Sequence, residues 1–317
     1  MRTFVVTGGA GFIGSHITEA LVRQGDRVRV VDNLSTGHLS NLEPVMSRIE
    51  FIQADVTDAG ALAEAFRGVD CVIHQAALAS VPLSVEEPLR VNDACVTGTL
   101  TVLDQARRAG VRRVVYAGSS SCYGDQPFCA NRESDLPMTL SPYAVAKLAG
   151  EFYGQAFHHS YDLQTVCLRY FNVFGPRQDP NSHYSAVIPL FISRLLRGDR
   201  PIVYGDGQQS RDFTYVGDVV QGNLLAIDAE GVSGRSFNLA SGRSATLLEL
   251  LNILGRLLNV SVQIDFQPPR VGNIRDSMAD ITQAVRQLGY RPAIRLEEGL
   301  ERSIEYYQSL VFQAQRD

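Results

Sequence analysis

Thr7-Gly8-Gly9-Ala10-Gly11-Phe12-Ile13-Gly14 is the stretch that decides the fold of this chain. Phe4-Val5-Val6 before it reads as a strand, and the residues after it read as a helix to about Arg23. A glycine-rich string alone fits an ordinary tight turn. Between a strand and a helix it does more, because backbone N–H groups at a helix start can face a pyrophosphate that a side chain would block. Gly14 would also let the helix pack closely on the strand. The next β-type run, Arg27 to Val31, ends in Asp32. A carboxylate there would accept hydrogen bonds from the adenosine ribose and repel a 2′-phosphate, so the pattern points to NAD rather than NADP.

Further strands are predicted at Ile49–Ile52, Cys71–His74, Arg113–Ala117 and Gln164–Leu168, with helices at Asp58–Phe66, Leu89–Ala109 and Pro142–His159. Alternation at this spacing predicts an α/β fold, a Rossmann-type doubly wound parallel sheet with helices on both faces. After Arg169 the rhythm breaks. Residues 171–211 carry Gly-Pro, Asp-Pro and Gly-Asp-Gly around one helix (Ile188–Leu196), which reads as loops lining a site. A late strand at Ser236–Leu239, a helix capped at Ser244-Ala245-Thr246 and running to Leu258, a strand at Val260–Phe266 and a helix at Ile281–Leu288 complete the outline. The expected division is an NAD-binding domain (1–170 with about 212–240) and a smaller, mixed α/β substrate domain (about 171–211 with 241–317).

Of the 317 residues 45% are hydrophobic and 20% charged, an ordinary globular balance. The formal net charge of −5 comes without a basic stripe, which argues against nucleic acid as a partner. Five cysteines (Cys71, Cys95, Cys122, Cys129 and Cys167) are odd in number and lack CxxC spacing, as expected of reduced thiols. No apolar run approaches the roughly 20 residues that span a bilayer, and no leader precedes Thr3. The expectation is a cytoplasmic protein with no membrane partner. Six histidines show no ligand spacing, so no metal is expected, and His74 reads as structural.

Ser141-Pro142-Tyr143-Ala144-Val145-Ala146-Lys147 places Tyr143 and Lys147 at i and i+4 on one helix face. A tyrosine with a pKa of about 10 is a poor base at neutral pH, but a neighbouring ammonium and a positive nicotinamide favour the phenolate. Tyr-x3-Lys is common by itself. Its weight here comes from Gly118-Ser119-Ser120-Ser121 at the end of the fifth strand, where parallel sheets present ligand-binding groups.

Taken in order, the glycine turn, Asp32, the Ser119 region, Tyr143-x3-Lys147 and Arg169-Tyr170-Phe171-Asn172 resemble the extended short-chain dehydrogenases. Over essentially its whole length the chain resembles the UDP-hexose 4-epimerases among them. Ser119 to Gly124, Asn172 to Asn181 and Arg211-Asp212-Phe213 are similar to the bacterial subgroup that handles UDP-glucose and UDP-N-acetylglucosamine. The resemblance implies Ser119, Tyr143 and Lys147 as the catalytic set, Tyr143 taking the proton from the sugar 4-hydroxyl while C4 gives its hydride to NAD. It implies NAD contacts from Gly8, Gly11, Phe12, Ile13, Gly14, Asp32, Asn33, Asp55, Val56, Ala76, Ala77, Tyr143, Lys147 and Tyr170. For the UDP-sugar it implies Ser80, Ser120, Ser121, Asn172, Gln178, Val187, Arg211, Arg270 and Ser277, with Arg211 and Arg270 on the diphosphate.

Sister dehydratases and decarboxylases need a further carboxylate beside the catalytic Ser/Thr, where this chain has Ser120-Ser121; that favours epimerisation. Ser277, seven residues after Arg270, stands where strict UDP-glucose enzymes carry a bulky tyrosine. With Ala79, it predicts room for an acetamido group. Two departures stand out: Cys95 replaces the asparagine of Asn-x-x-Gly-Thr, and Gly272-Asn273 replaces Gly-Asp after Arg270. The alternatives are another nucleotide-sugar oxidoreductase, a UDP-glucuronate epimerase, or a non-catalytic NAD-binding regulator, which would typically lack Tyr143 or Lys147. A homodimer is expected through the helices near 89–109 and 142–159, with Ala106 and Ala149 permitting close packing.

Overall fold

The computed structural model describes residues 1–126, 130–180, 186–269 and 274–314, the last four as backbone only. Its first six strands are β1 (Thr3–Thr7), β2 (Arg27–Asp32), β3 (Ile49–Gln53), β4 (Cys71–His74), β5 (Arg113–Ser119) and β6 (Gln164–Tyr170). Four short strands follow, β7 (Val173–Phe174), β8 (Ile202–Tyr204), β9 (Ser210–Arg211) and β10 (Thr214–Tyr215). The last four are β11 (Arg235–Leu239), β12 (Ala245–Thr246), β13 (Asp265–Gln267) and β14 (Asp276–Ser277). Seven of these form one sheet in the order β11-β6-β5-β4-β1-β2-β3, every neighbouring pair parallel. The winding reverses between β1 and β4, and the crevice beyond the carboxyl ends of those strands is where such sheets take ligands.

The helices are α1 (Phe12–Arg23), α2 (Ala59–Ala65), α3 (Val81–Glu86), α4 (Pro88–Asn92), α5 (Gly98–Arg108) and α6 (Pro142–Tyr161). They continue with α7 (Val187–Leu196), α8 (Val216–Asp228), α9 (Leu247–Leu258), α10 (Thr282–Leu288) and α11 (Leu296–Ala314). Strand periodicity sorts them onto two faces. Phe4 and Val6 pack with Ile17 and Leu21 of α1 and Val219 and Ala226 of α8. Val5, between them, points the other way, into a cluster with Leu62 of α2, Val102 and Ala106 of α5 and Phe157 of α6. A third cluster joins Phe174 to α7 (Ile188, Phe191), α9 (Leu250, Leu254) and α11 (Leu300, Tyr307).

Local chemistry sets the helix starts. Ser141 caps α6 by accepting from Ala144 N, with Pro142 in the first turn; Asp58 caps α2; and Thr246 with Glu249 forms a reciprocal capping box on α9. The expected helix over 89–109 is broken by a π-helical turn at Asp93–Thr97, the kind of insertion that marks functional sites. The expected strand Val260–Phe266 shrinks to Asp265–Gln267. Asn259 reverses the chain in a left-handed conformation, and pairing begins only where Asp265 meets Ile202 of β8. Ala106 is fully buried inside the subunit, so it offers no surface for a partner.

Candidate active site

The glycine turn is bare because its backbone is crowded. Gly8 takes φ +68°, and a Cβ there would lie 2.6 Å from Ala76 N; a Cβ on Gly14 would lie 2.1 Å from the Gly8 carbonyl oxygen. Gly11 caps α1 without any side-chain bond, and the first intrahelical bond runs from Ser15 N to Gly11 O. The N–H groups of Phe12, Ile13 and Gly14 therefore have no partner inside the helix. Crowded glycines and orphan donors at a helix start fit a dinucleotide pyrophosphate. Asp32, at the end of β2, accepts from Ala10 N (2.9 Å) and Leu34 N (2.8 Å), while burial raises its pKa. Nearby, Asn33 donates to Asp55 at 2.6 Å, and Val56 packs where a Cβ on Gly98 would stand. Ala76 lies against the turn, and Ala77 packs in the same cluster as Tyr143.

Ser119 ends β5 opposite Tyr170 of β6. Its hydroxyl oxygen accepts from Ser121 N (3.2 Å) and Ser121 Oγ (2.9 Å) and lies in hydrogen-bonding reach of the Tyr143 phenol. Ser120 opens the 3₁₀ turn that follows. Lys147, buried on α6, donates to the Ala117 carbonyl at 2.8 Å and lies 5.0 Å over the Tyr116 ring. Burial pushes the Tyr143 phenol well above its ordinary pKa, proximity to Cys95 adds to this, and the bond to Ser119 is the influence that opposes it. Burial also lowers the Lys147 pKa. Cys95 is 1% exposed, so its thiol packs against this cluster rather than facing solvent.

Tyr170 is 8% exposed, and its hydroxyl accepts from Gln75 Nε2 (2.9 Å) and Asn223 Nδ2 (2.8 Å). The phenol is committed to the interior. Asn172 follows at φ +30°, a strained conformation for a residue with a side chain, and donates to Asp212 O at 3.3 Å. Gln178 Nε2 donates to Val173 O, Ser80 caps α3, and Val187 opens α7. Arg270, with Gly272 and Asn273, lies outside the described residues.

In Arg211-Asp212-Phe213 the three side chains divide their roles. Asp212, fully buried, accepts from Ser241 N, Ser241 Oγ, Gly242 N and Ala279 N, tying three segments together. Phe213 enters the third core cluster. Arg211 donates through Nη1 to Ser210 O and Arg275 O and through Nη2 to Ile274 O. A guanidinium has five N–H groups, so Nε and the second Nη2 hydrogen, one edge of the fork, make no bond among the described residues. Ser277 is the register partner of Arg211 across β9–β14.

Sequence reasoning passed over the supports of this site. Glu151 and Arg169 form a buried two-bond ion pair (2.6 and 3.0 Å), joined by Ser236 on Glu151 and by Tyr123 on Arg169. Although burial opposes the charge, Glu151 holds the Arg169 pKa up. Their separation in sequence gave no local signal. Among the described residues no helix is long and apolar enough to cross a membrane, and no His/Cys/Asp/Glu group could hold a metal.

Comparison with known proteins agrees with this geometry. The profile of the family described as "NAD dependent epimerase/dehydratase family" matches residues 4–240. The structure of a UDP-N-acetylglucosamine 4-epimerase from Methanobrevibacter ruminantium, in complex with UDP-N-acetylmuramic acid, is 40% identical with a TM-score of 0.94, covering 98% of this chain and 99% of that one. A UDP-glucose 4-epimerase from Thermotoga maritima with UDP-glucose is 36% identical, with a TM-score of 0.93 and the same coverage. A UDP-glucuronic acid 4-epimerase from Bacillus cereus, with UDP-glucuronic acid and NAD, is 30% identical with a TM-score of 0.91, covering 97% and 99%.

Proposed function

The chain belongs to the NAD-dependent epimerase/dehydratase family, and we propose that within it the protein is a 4-epimerase of UDP-hexoses, acting on UDP-glucose and UDP-galactose and on their N-acetylated forms. The observation that carries this reading is the hydroxyl-only acid/base set at the end of β5. Ser119 and Ser121 meet there beside Tyr143, and no carboxylate stands at 120 or 121 to drive elimination or decarboxylation. Bound with its pyrophosphate on the Gly8–Gly14 turn, NAD supplies the hydride carrier and a positive charge that favours the Tyr143 phenolate. Tyr143 exchanges the proton of the sugar 4-hydroxyl in both directions, so one residue serves either face of the sugar. Ser119 holds the phenol and can pass a hydrogen bond to the same hydroxyl. Lys147 anchors this face of α6 to β5 through Ala117. The remaining edge of the Arg211 fork suits a diphosphate oxygen pair. Ser277, beside it, leaves space for a C2 acetamido group.

A two-part division, the sheet with α8 and β11 holding NAD and the α7/α9/α11 cluster the sugar nucleotide, is part of the same proposal. So is a homodimer: Leu89, Val145 and Phe152 expose apolar surface on α4 and α6. Product analysis with UDP-glucose, UDP-galactose, both N-acetyl forms and UDP-glucuronate side by side tests the reading. Interconversion at C4 without net NADH is expected. Accumulating NADH would instead indicate an oxidoreductase, and turnover of UDP-glucuronate alone a different epimerase.

A further inference from the structure

Three residues distant in sequence meet behind the crevice: Thr7 at the end of β1, His74 at the end of β4, and Thr99 in the first turn of α5. His74 is 1% exposed, with Nδ1 2.7 Å from Thr7 Oγ1 and Nε2 3.0 Å from Thr99 Oγ1. The donors assign its tautomer. Thr99 gives its own proton to the Cys95 carbonyl at 2.6 Å, so its oxygen accepts from His74 and the ring proton sits on Nε2. Nδ1 is then the acceptor, and Thr7 donates to it. Burial and the nearby Lys147 charge keep the ring neutral.

Each neighbour of this ring belongs to the site. Thr7 is followed at once by Gly8, whose backbone is pressed on residues 75–76. Gln75 N donates to Thr7 O at 3.0 Å, and Ala76 N faces Thr7 Oγ1 at 3.5 Å. On its other side the imidazole lies 5.6 Å from the Tyr116 ring. Tyr116 carries the Lys147 ammonium over its face and donates to the Lys147 carbonyl at 3.2 Å.

We propose that His74 is a positioning residue for the cofactor site, its Nδ1 fixing the Thr7 hydroxyl and thereby the seating of the phosphate turn against β4. It acts through Thr7 and touches no reacting atom. The inference rests on the turn holding NAD, as proposed above.

The test is NAD affinity, by calorimetry on the full-length protein depleted of dinucleotide, with thermal melting alongside. His74→Phe keeps the ring and removes the acceptor; it is expected to weaken NAD binding at least tenfold. His74→Asn, whose Oδ1 falls near the place of Nδ1, is expected to restore affinity to within threefold of wild type. His74→Gln, which reaches towards Thr99 instead, is expected not to. Thr7→Val, a milder change, should reproduce the loss, and the Thr7→Val/His74→Phe pair should bind no worse than either alone. A lower melting temperature with unchanged NAD affinity in His74→Phe and Thr7→Val would overturn the inference, and so would equal behaviour of the Asn and Gln variants. Asp32→Ala is the control for the reading beneath it. If that variant binds NAD undiminished, the placement of the dinucleotide fails and not merely the role of His74.

Discussion

Replacing Gly14 by alanine places a methyl group 2.1 Å from the Gly8 carbonyl oxygen, 2.8 Å from its carbon and 2.9 Å from the Gly9 Cα. All three are backbone atoms, so no side chain can swing away. An ordinary contact needs about 3.5 Å, so the turn and α1 must part by more than 1 Å. Overpacking of this kind costs about 1–3 kcal/mol, while alanine in a helix returns up to about 1 kcal/mol relative to glycine. Stability should therefore fall modestly, by about 0–2 kcal/mol. Affinity should suffer more, because a turn displaced that far loses bonds to the pyrophosphate. Two hydrogen bonds to a charged group, at about 1.5–3 kcal/mol each, correspond to a loss of at least about 100-fold. Gly154→Ala is the matched control. Its Cβ would meet Thr165 at 3.6 Å, an ordinary contact in the middle of α6, so it should be neutral or stabilising by up to about 1 kcal/mol. Calorimetric titration of NAD into both variants, with urea melts, reads these quantities. If Gly14→Ala binds NAD within threefold of wild type, the close packing of turn and helix is not what shapes the site.

Ser119→Ala removes the bond that opposes the burial-driven rise of the Tyr143 pKa. The alkaline-rising limb of kcat should move to higher pH, with a loss of about 10–100-fold at pH 7 that narrows as pH rises; an equal loss at every pH would contradict this. Breaking the buried Glu151–Arg169 pair by Arg169→Met should cost about 3–5 kcal/mol in urea melts. Arg132→Ala, which removes the partner of Asp280 in an exposed pair, should stay within about 0.5 kcal/mol. Equal effects would refute the distinction. His16 and His74 are held neutral, mainly by burial, with pKa values lowered to about 4 and about 3. Their ordinary value is about 6.5, so on acidification through that pH the unfolded chain binds protons the folded chain does not. Stability should fall by up to about 1.4 kcal/mol per pH unit for each histidine. A urea midpoint unchanged between pH 7 and 5 would argue against both assignments.

The elements read from the sequence were those with dense local signals. The glycine turn, Asp32, Ser141-Pro142 and Thr246 each announce a boundary through their own conformational chemistry. The helices α8 and α11 escaped the outline although their buried residues recur at helical spacing. Leu300, Ile304 and Tyr307 form such a stripe, but Ser303 and Tyr306 between them blur it. The strand expected at Val260–Phe266 is cut back to its last residues because β-propensity supplies no partner, and the partner strand β8 lies some 60 residues earlier. At the site, Tyr143-x3-Lys147 and Ser119 were legible as a pattern. The direction of the Lys147 ammonium was not, since it depends on the Ala117 carbonyl and the Tyr116 ring across the sheet. The same holds for Asp212 and Glu151, whose partners come from other segments of the chain.

The turnover of Tyr143→Phe, measured with NAD bound and UDP-glucose as substrate, bears most directly on the phenol as the proton-exchanging group. Removing one oxygen should lower kcat by about 10²–10⁴-fold and leave NAD affinity within threefold of wild type. Interconversion at more than a tenth of the wild-type rate would mean that the proton of the 4-hydroxyl leaves by another route.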